Sequence, residues 1–310
     1  MTRHIATAVI LAAGSGSRIG ELGKYVPKPL LPILNEPLIR RNVRWLKRLG
    51  VERIEIVVGH LGGAVRRALE EDPLEGMEIG FTEQKERLGI AHALGQLDGV
   101  VREPFILLLG DYAFEAPELD RMLRLDGSEG CLLSAKEESD MESLRRNFSI
   151  EYDADGLVTR VREKPEDPPN RLKGCGIYTF DERVFEAVRK TQRSPMRNEY
   201  EITESIQRLI DAGVRTRFLP VVTWDMNLTY PADLLECNLH FLGKGETGVP
   251  RTIMSDLPAG SIFERSVVGR GVRAAGPVQL RESVVFDGAV FESAGSLTRS
   301  VAFGSHVVQC

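Results

Sequence analysis

Residues 9–31 read VILAAGSGSRIGELGKYVPKPLL, and the order of residue types in this stretch decides how the chain is read. An apolar run from Ala8 to Ala12 has the length and content of a strand. It empties into Ala13-Gly14-Ser15-Gly16-Ser17, which Arg18 closes, and Pro27-Lys28-Pro29-Leu30 follows. A loop with almost no side-chain bulk lets backbone N–H groups come close to an anion, and Arg18 and Lys28 add two full positive charges. This is a cradle for a polyphosphate. It is not a Walker A loop, because no Gly-Lys-Ser/Thr follows the glycines, and the dinucleotide fingerprint fails because Gly14 and Gly16 are followed by Ile19 where the third glycine is needed.

Working outward, strand-like and helix-like segments alternate. Ile54–Val58 is a β-branched run, Pro37–Leu49 carries Ile39, Val43, Leu46 and Leu49 at helical spacing, Met77–Thr82 reads as a strand and His92–Leu97 as a short helix. Phe105–Leu109, FILLL, is a continuous apolar run of the kind that suits a strand covered on both faces, and it ends in Gly110-Asp111. This order predicts an α/β sandwich around a mostly parallel sheet, whose ligands sit beyond the carboxyl ends of the strands. From Ile150 to Phe180 the pattern is β-rich, with a turn at 153–156. Helices are expected over Arg183–Lys190, Ile202–Ala212 and Pro231–Leu242, a strand over Arg217–Val222, and a linker over 243–250.

After the linker the sequence repeats. Ser266, Ser283 and Ser300 stand 17 residues apart, as do Phe263, Leu280 and Leu297. Three hexapeptide-like steps per turn give about 18 residues per coil, so one shortened corner accounts for the spacing.

Composition sets the outer bounds. The chain has 310 residues, 42% of them hydrophobic, enough for one large domain with an appendage. A net charge of −5 argues against nucleic acid or a membrane surface as partner, so an anionic ligand must be held by local cations. No apolar run approaches the roughly 20 residues of a membrane span, and the N-terminal apolar run flows into the glycine loop, so it reads as a strand and not as a signal peptide. Cys131, Cys175, Cys237 and Cys310 lack C-x-x-C spacing, which suits a reduced, cytoplasmic protein without a zinc site.

The string A-A-G-x-G-x-R followed by P-K-P-L resembles the signature of the nucleoside-triphosphate:sugar-1-phosphate nucleotidyltransferases, the nucleotidyl-diphosphosugar pyrophosphorylases, and the resemblance covers nearly the whole chain. It implies a Rossmann-like, mostly parallel-sheet catalytic domain over 1–245 and a truncated hexapeptide-repeat left-handed β-helix over 251–310. Arg18 and Lys28 are implied to act on the triphosphate, with Leu11, Ala13 and Gly14 against the nucleotide. Asp111 is implied as the main ligand of Mg²⁺, which needs only one or two carboxylates beside phosphate oxygens and water. The segment from Thr223 to Asn238 resembles the one that supplies the second ligand. Counting back from Pro231 points to Asn227, with Asp225 as its rival.

Gln84 to His92 resembles the family's base-recognition element. An amide both donates and accepts, so Gln84 can read a pyrimidine edge, and Gly89 lets the backbone approach the base. His92 reads as structural, because the chemistry needs no imidazole. Glu163-Lys164-Pro165 matches the sugar-phosphate site, with Gly110, Gly176 and Glu199 as further contacts; a charge at a helix N-terminus is the plainer reading of Glu199. Asn147-Phe148-Ser149-Ile150 departs from the family's pattern and puts the sugar's identity in question. The partners implied are a nucleoside triphosphate, a sugar 1-phosphate and a second copy of the chain, because a stack of about three coils, carrying Phe286, Phe291 and Phe303 and an open C-terminal edge, buries little by itself. The alternative is a catalytically silent subunit that binds sugar nucleotides.

Overall fold

The computed structural model describes residues 2–14, 16–59, 61–195, 197–245 and 257–310. They form two compact units, one of Met1–Ser15 with Asn42–Asp225, the other of Gly16–Arg41 with Met226–Cys310.

The first unit is built on a nine-stranded sheet. Its centre is Thr7–Ala12, buried along its whole length and flanked by parallel strands on both sides, Phe105–Leu109 and Arg53–Val58. Val9 lies opposite Leu107 on one side and Glu55 on the other. Glu78–Glu83 adds a further parallel strand beyond Arg53–Val58. Both faces of Thr7–Ala12 and Phe105–Leu109 are covered, which is why these two sequences are apolar runs and do not alternate.

Beyond Phe105–Leu109 the sheet turns antiparallel through Leu172–Phe180, then Phe148–Tyr152 and Val158–Glu163. Glu129–Glu137 also pairs with Leu172–Phe180 and carries Arg215–Leu219 parallel to it. The sheet is therefore mixed, with a parallel core and an antiparallel extension. The expected strand over Arg217–Val222 starts earlier and stops at Leu219, because Pro220 has no N–H to continue the ladder. The turn at 153–156 is as read: the Asp153 carboxylate accepts from Leu157 N at 2.9 Å, and Gly156 takes φ 76°.

In the second unit Pro32–Ile33 and Glu36–Pro37 form a hairpin that turns on Leu34 and Asn35, both at positive φ. The hairpin packs on the helix Pro231–Gly243 through a buried amide. Asn238 accepts from Leu34 N at 2.8 Å and donates to the carbonyls of Pro32 and Leu234, each at 2.9 Å. A buried amide with its groups paired costs little, and an apolar replacement would orphan the backbone groups.

The repeat of 17 is one coil of a β-helix. Phe263, Leu280 and Leu297 stack in one parallel ladder, Val267, Val284 and Val301 in another, and Arg273 pairs with Val290 in a third. Each coil turns the same corner, with Arg265, Glu282 and Arg299 at φ 45°, 45° and 47°. The serine after each corner joins the coils: Ser266 Oγ accepts from Ser283 N at 3.1 Å and Ser283 Oγ from Ser300 N at 3.2 Å. Glu282 also bridges Arg265 and Arg299 across the stack.

Two expectations for this tail are corrected. Phe286 and Phe303 are buried, 8% and 5% exposed, and Phe291 is partly buried against the valine-rich core of the coil, so these rings supply no outward apolar face. The C-terminal edge is also not left open on every side, because His306–Gln309 folds back antiparallel on Ser300–Phe303. The strands here are two to four residues long, too short for alternation to reveal which side chains point inward. The linker over 243–250 and the start of the tail at 251 fall largely on 246–256, outside the described residues. Among the described residues no helix is long and apolar enough to cross a membrane.

Candidate active site

In the first unit Ala13-Gly14, where the glycine loop begins, and Gly110-Asp111 lie at the carboxyl ends of adjacent parallel strands. Leu11 is paired with Leu109, and Gly110 N donates to Leu11 O at 2.9 Å. A Cβ at Gly110 would stand 2.8 Å from that oxygen, so glycine is what brings the start of the Asp111 loop against the end of the Thr7–Ala12 strand. Leu11 and Ala13 are buried, and Gly14 is exposed. A Cβ on Gly59 would approach Ala13 O to 2.7 Å, so Gly59 makes room on the other side. Asp111 is half-buried. Among the described residues no cluster of three or more metal-ligating side chains occurs. A cation at Asp111 would take most of its ligands from phosphate and water, the coordination Mg²⁺ prefers.

Gln84 and Gly89 lie close together, with Gln84 Nε2 3.3 Å from Gly89 O and 2.8 Å from His92 Nδ1. Gly89 has φ 109°, and a Cβ there would meet Tyr200 O at 2.6 Å, so the segment after the Glu78–Glu83 strand is seated directly on the backbone of Tyr200.

Glu163 and Lys164 line a cavity of about 620 Å³ with Arg197, Glu201 and Thr203. Glu163 ends its strand and accepts from Thr203 Oγ1 at 3.2 Å. Burial, and next to it the charge of Glu201, push the Glu163 carboxyl above its ordinary pKa. Burial does the same to Glu201. Lys164 adopts φ 45°, an uncommon conformation for a residue with a side chain, held by its N–H to Asn147 O at 2.7 Å.

Arg197, which the sequence reading passed over, is 3.1 Å from Glu199, 3.4 Å from Glu201 and 3.9 Å from Glu163. It sits two residues before Glu199, and the positive φ of Asn198 separates the two. Glu199 is thereby engaged by Arg197 and lies off the cavity wall. Gly176 is also elsewhere: it lies under the ring of Tyr112, where a Cβ would meet Cγ at 3.0 Å.

Asp225, the rival second metal ligand, is committed to lysines. Lys173 lies 2.7 Å and Lys136 3.4 Å from its Oδ1, and both reach Glu138 at 3.1 Å. The result is a quartet of alternating charge in which Lys173, Asp225 and Glu138 have buried side chains and Lys136 is half-buried.

In the second unit Gly16 takes φ 64° and opens the short turn Ser17–Ile19, which places Arg18 on the surface while Ile19 is buried. A Cβ on Gly23 would meet Gly16 O at 2.5 Å, so the loop closes on a second glycine. Lys28 follows Pro27 in the turn Lys28–Leu30 and is only 6% exposed. A Cβ on Gly16 would be 3.5 Å from its Cγ, so the lysine stem runs along the loop. Asn227 ends the strand Trp224–Asn227, half-buried, just ahead of the helix Pro231–Gly243.

Residues 7–225 match the nucleotidyl transferase family. The UTP–glucose-1-phosphate uridylyltransferase AglF of Haloferax volcanii is 33% identical over 228 residues, 73% of this chain and 92% of the relative. A glucose-1-phosphate thymidylyltransferase of Streptomyces antibioticus is 31% identical over 274 residues, 86% of this chain and 74% of the relative. The fold is shared with a UDP-glucose pyrophosphorylase solved with UDP-glucose, with a TM-score of 0.67 at 23% identity over 77% of this chain and 99% of that one. The chain belongs to the nucleotidyl transferase family.

Proposed function

We propose that this protein transfers a nucleotidyl group from a nucleoside triphosphate to a sugar 1-phosphate, forming a nucleoside diphosphate sugar and pyrophosphate. The observation that carries the reading is the abutment of Gly110-Asp111 on the end of the Thr7–Ala12 strand, at the edge where open parallel sheets bind ligands. A phosphate oxygen of the sugar phosphate attacks the α-phosphorus, and the bond from that phosphorus to the bridging oxygen of pyrophosphate breaks. The nucleophile is already ionised, so no general base is needed, and the protein contributes positioning and charge neutralisation. In this reading Arg18 and the loop amides hold the departing pyrophosphate, Lys28 serves the α-phosphate, and Lys164 holds the attacking phosphate while Glu163 accepts from sugar hydroxyls. Leu11, Ala13, Gly14, Gln84 and Gly89 hold the nucleotide. Asp111 and Asn227 would hold Mg²⁺, which supplies charge neutralisation at the phosphates when bound.

The catalytic module is 1–245, with the coil of 251–310 as its accessory, and the compartment that suits such chemistry is the cytoplasm. The test is a matrix of nucleoside triphosphates against hexose, hexosamine and heptose 1-phosphates, read as pyrophosphate release. Release from no pair would leave the chain a silent sugar-nucleotide-binding subunit.

Lys164→Ala is expected to weaken sugar 1-phosphate binding about 10- to 100-fold, the loss of one charge-assisted contact, with nucleotide affinity little changed. Calorimetry with each ligand alone checks this, and equal losses for both would make the Glu163-Lys164 segment a structural turn only. A homo-oligomer, simplest as a two-fold dimer, is the expected assembly. With Phe286 and Phe303 buried, Ile262 and Val307 are the exposed large apolar side chains among the described residues of the coil that can contribute to it. Deleting 251–310 should then shift the mass in solution toward monomer; a full-length monomer by light scattering at assay concentration would remove the idea.

A further inference from the structure

We propose that the C-terminal hairpin of the coil, through His306 and Tyr25, holds the loop that carries Arg18 and Lys28 in the form that binds the pyrophosphate end of the triphosphate. This rests on the reading of that loop as the triphosphate site. His306 and Tyr25 are positioning residues here, since they act by fixing the loop and not by touching the ligand.

The loop and the end of the coil belong to the same compact unit. The loop is wound as one piece. Ile19 N donates to Gly16 O at 3.1 Å, Gly23 N to Gly20 O at 3.1 Å, and Val26 N closes the short helix Leu22–Tyr25 on Leu22 O at 3.0 Å. Leu31 N then donates to Lys28 O at 3.0 Å. Ile19 and Leu22 are buried, while Arg18 and Tyr25 stand on the surface. A contact that fixes the Tyr25 ring therefore fixes a helix lying between the two cations in sequence, one that closes on Gly16 through Gly23.

Tyr25 is where the coil meets this loop. Its ring lies 6.1 Å from the His306 imidazole, with planes at 30°, and 6.4 Å from the ring of Phe303. Tyr25 is 63% exposed, so a contact on one face is what can hold it. His306 in turn stacks on Phe303 at 5.4 Å and 27°, and the two are paired across the hairpin of Ser300–Phe303 and His306–Gln309. Phe303 is buried and meets Phe286, also buried, at 6.2 Å. The chain of rings thus runs from the loop, through two exposed residues, to the buried rings of the coil.

The coil has its own footing in this unit. Asn35 Nδ2 donates to Val268 O at 2.9 Å, and Arg299 pairs with Glu236 on the helix Pro231–Gly243. A glycine-rich loop gains close access to phosphate by lacking side chains, and it loses rigidity for the same reason. A ligand that must order such a loop gives up affinity to that ordering, whereas a loop already held costs it little. An aromatic pair of this kind shifts an equilibrium by about 3- to 10-fold.

The test is calorimetry with pyrophosphate in the presence of Mg²⁺ and with glucose 1-phosphate, beside hydrogen exchange of the amides between Arg18 and Lys28, on the full chain and its variants. His306→Ala and Tyr25→Ala, both at exposed positions, should each weaken pyrophosphate binding about 3- to 10-fold and quicken exchange in the loop, with glucose 1-phosphate held within about twofold. The double variant should bind no worse than Tyr25→Ala alone, because both changes break one contact. Tyr25→Phe and His306→Phe keep a ring and should bind pyrophosphate as wild type does. The proposal is overturned by pyrophosphate affinity or loop exchange that does not move in His306→Ala, by losses that add in the double variant, or by equal losses for both ligands. A loss confined to Tyr25→Ala would mean that this ring touches the ligand itself, which also overturns it. Arg18→Ala separates the proposal from the reading beneath it: unchanged pyrophosphate affinity there means that the leaving group does not sit on this loop. A clear loss there, with His306→Ala like wild type, removes the coil's part alone.

Discussion

Asp111→Asn is expected to lower the rate of pyrophosphate release by about 100- to 10,000-fold at saturating substrates while shifting the melting temperature by no more than about 2 °C. The substitution keeps the shape and removes one negative charge. Asp111 follows Gly110 at the mouth of the sheet, and it is the carboxylate the reading assigns to the cation. With no dense ligand cluster among the described residues, that charge is a large part of what the protein offers a metal. Raising Mg²⁺ should recover part of the rate if weakened metal binding is the cause. A variant that releases pyrophosphate at near wild-type rate, at ordinary Mg²⁺, would remove Asp111 from the metal site. The same assay on Asn227→Ala and Asp225→Ala decides the second ligand. The pairing of Asp225 with Lys173 and Lys136 favours Asn227, since a carboxylate already neutralised offers a cation less.

What the sequence made legible, and what it hid, follows from how far apart the cooperating residues lie. Thr7–Ala12 and Phe105–Leu109 could be read because strands covered on both faces must be apolar throughout, and because the small residues that end them are local in sequence. The helix Arg183–Lys190 was legible from its own residues because its apolar and charged positions alternate locally along one short segment. The period of 17 announced the coil, since each turn repeats the same corner. The direction of Phe286 and Phe303 was not legible: on such short strands one residue's facing depends on the corner before it, and no local pattern reports that. Arg197 was hidden for a different reason. In sequence it is one charge among several, and only the left-handed backbone at Asn198, with Glu163 arriving from another strand, makes it a partner of three carboxylates. Gln84 could be picked out, but not its contacts with Gly89 and His92, which depend on the fold of that segment around it.

The quartet of Lys173, Asp225, Glu138 and Lys136 is the case in which sequence habit misleads most, because charged residues usually mark a solvated face. Here Lys173 and Asp225 are each 3% exposed in their side chains and come from positions 52 residues apart. Burial works against the charged form of Lys173, and Asp225 with Glu138 more than offsets it, leaving the lysine's pKa raised. Burial likewise opposes ionisation of Glu138, but the Asp140 N–H and the two lysines outweigh it and hold the carboxyl at about 2. Lys173→Met, which keeps the length of the side chain and removes its charge, should therefore cost about 3–5 kcal/mol, because it strands Asp225 and Glu138 on one remaining lysine. Urea unfolding at neutral pH measures this as a lower midpoint at unchanged slope. Adding Asp225→Leu to that variant should restore part of the loss, since Glu138 and Lys136 then remain as a balanced pair. The pH dependence has a definite sign. A carboxyl whose folded pKa is depressed contributes stability that is present above its unfolded value and lost as the pH falls through the folded one. Wild type should lose the Glu138 contribution between the ordinary glutamate range and about pH 2. In Lys173→Met the Glu138 carboxyl lies closer to its ordinary value, so less is left to lose. The gap in stability between the two proteins should shrink as the pH is lowered through that window; a gap that is small at pH 7, or one that does not change with pH, would mean that the quartet is held by packing and not by its charges.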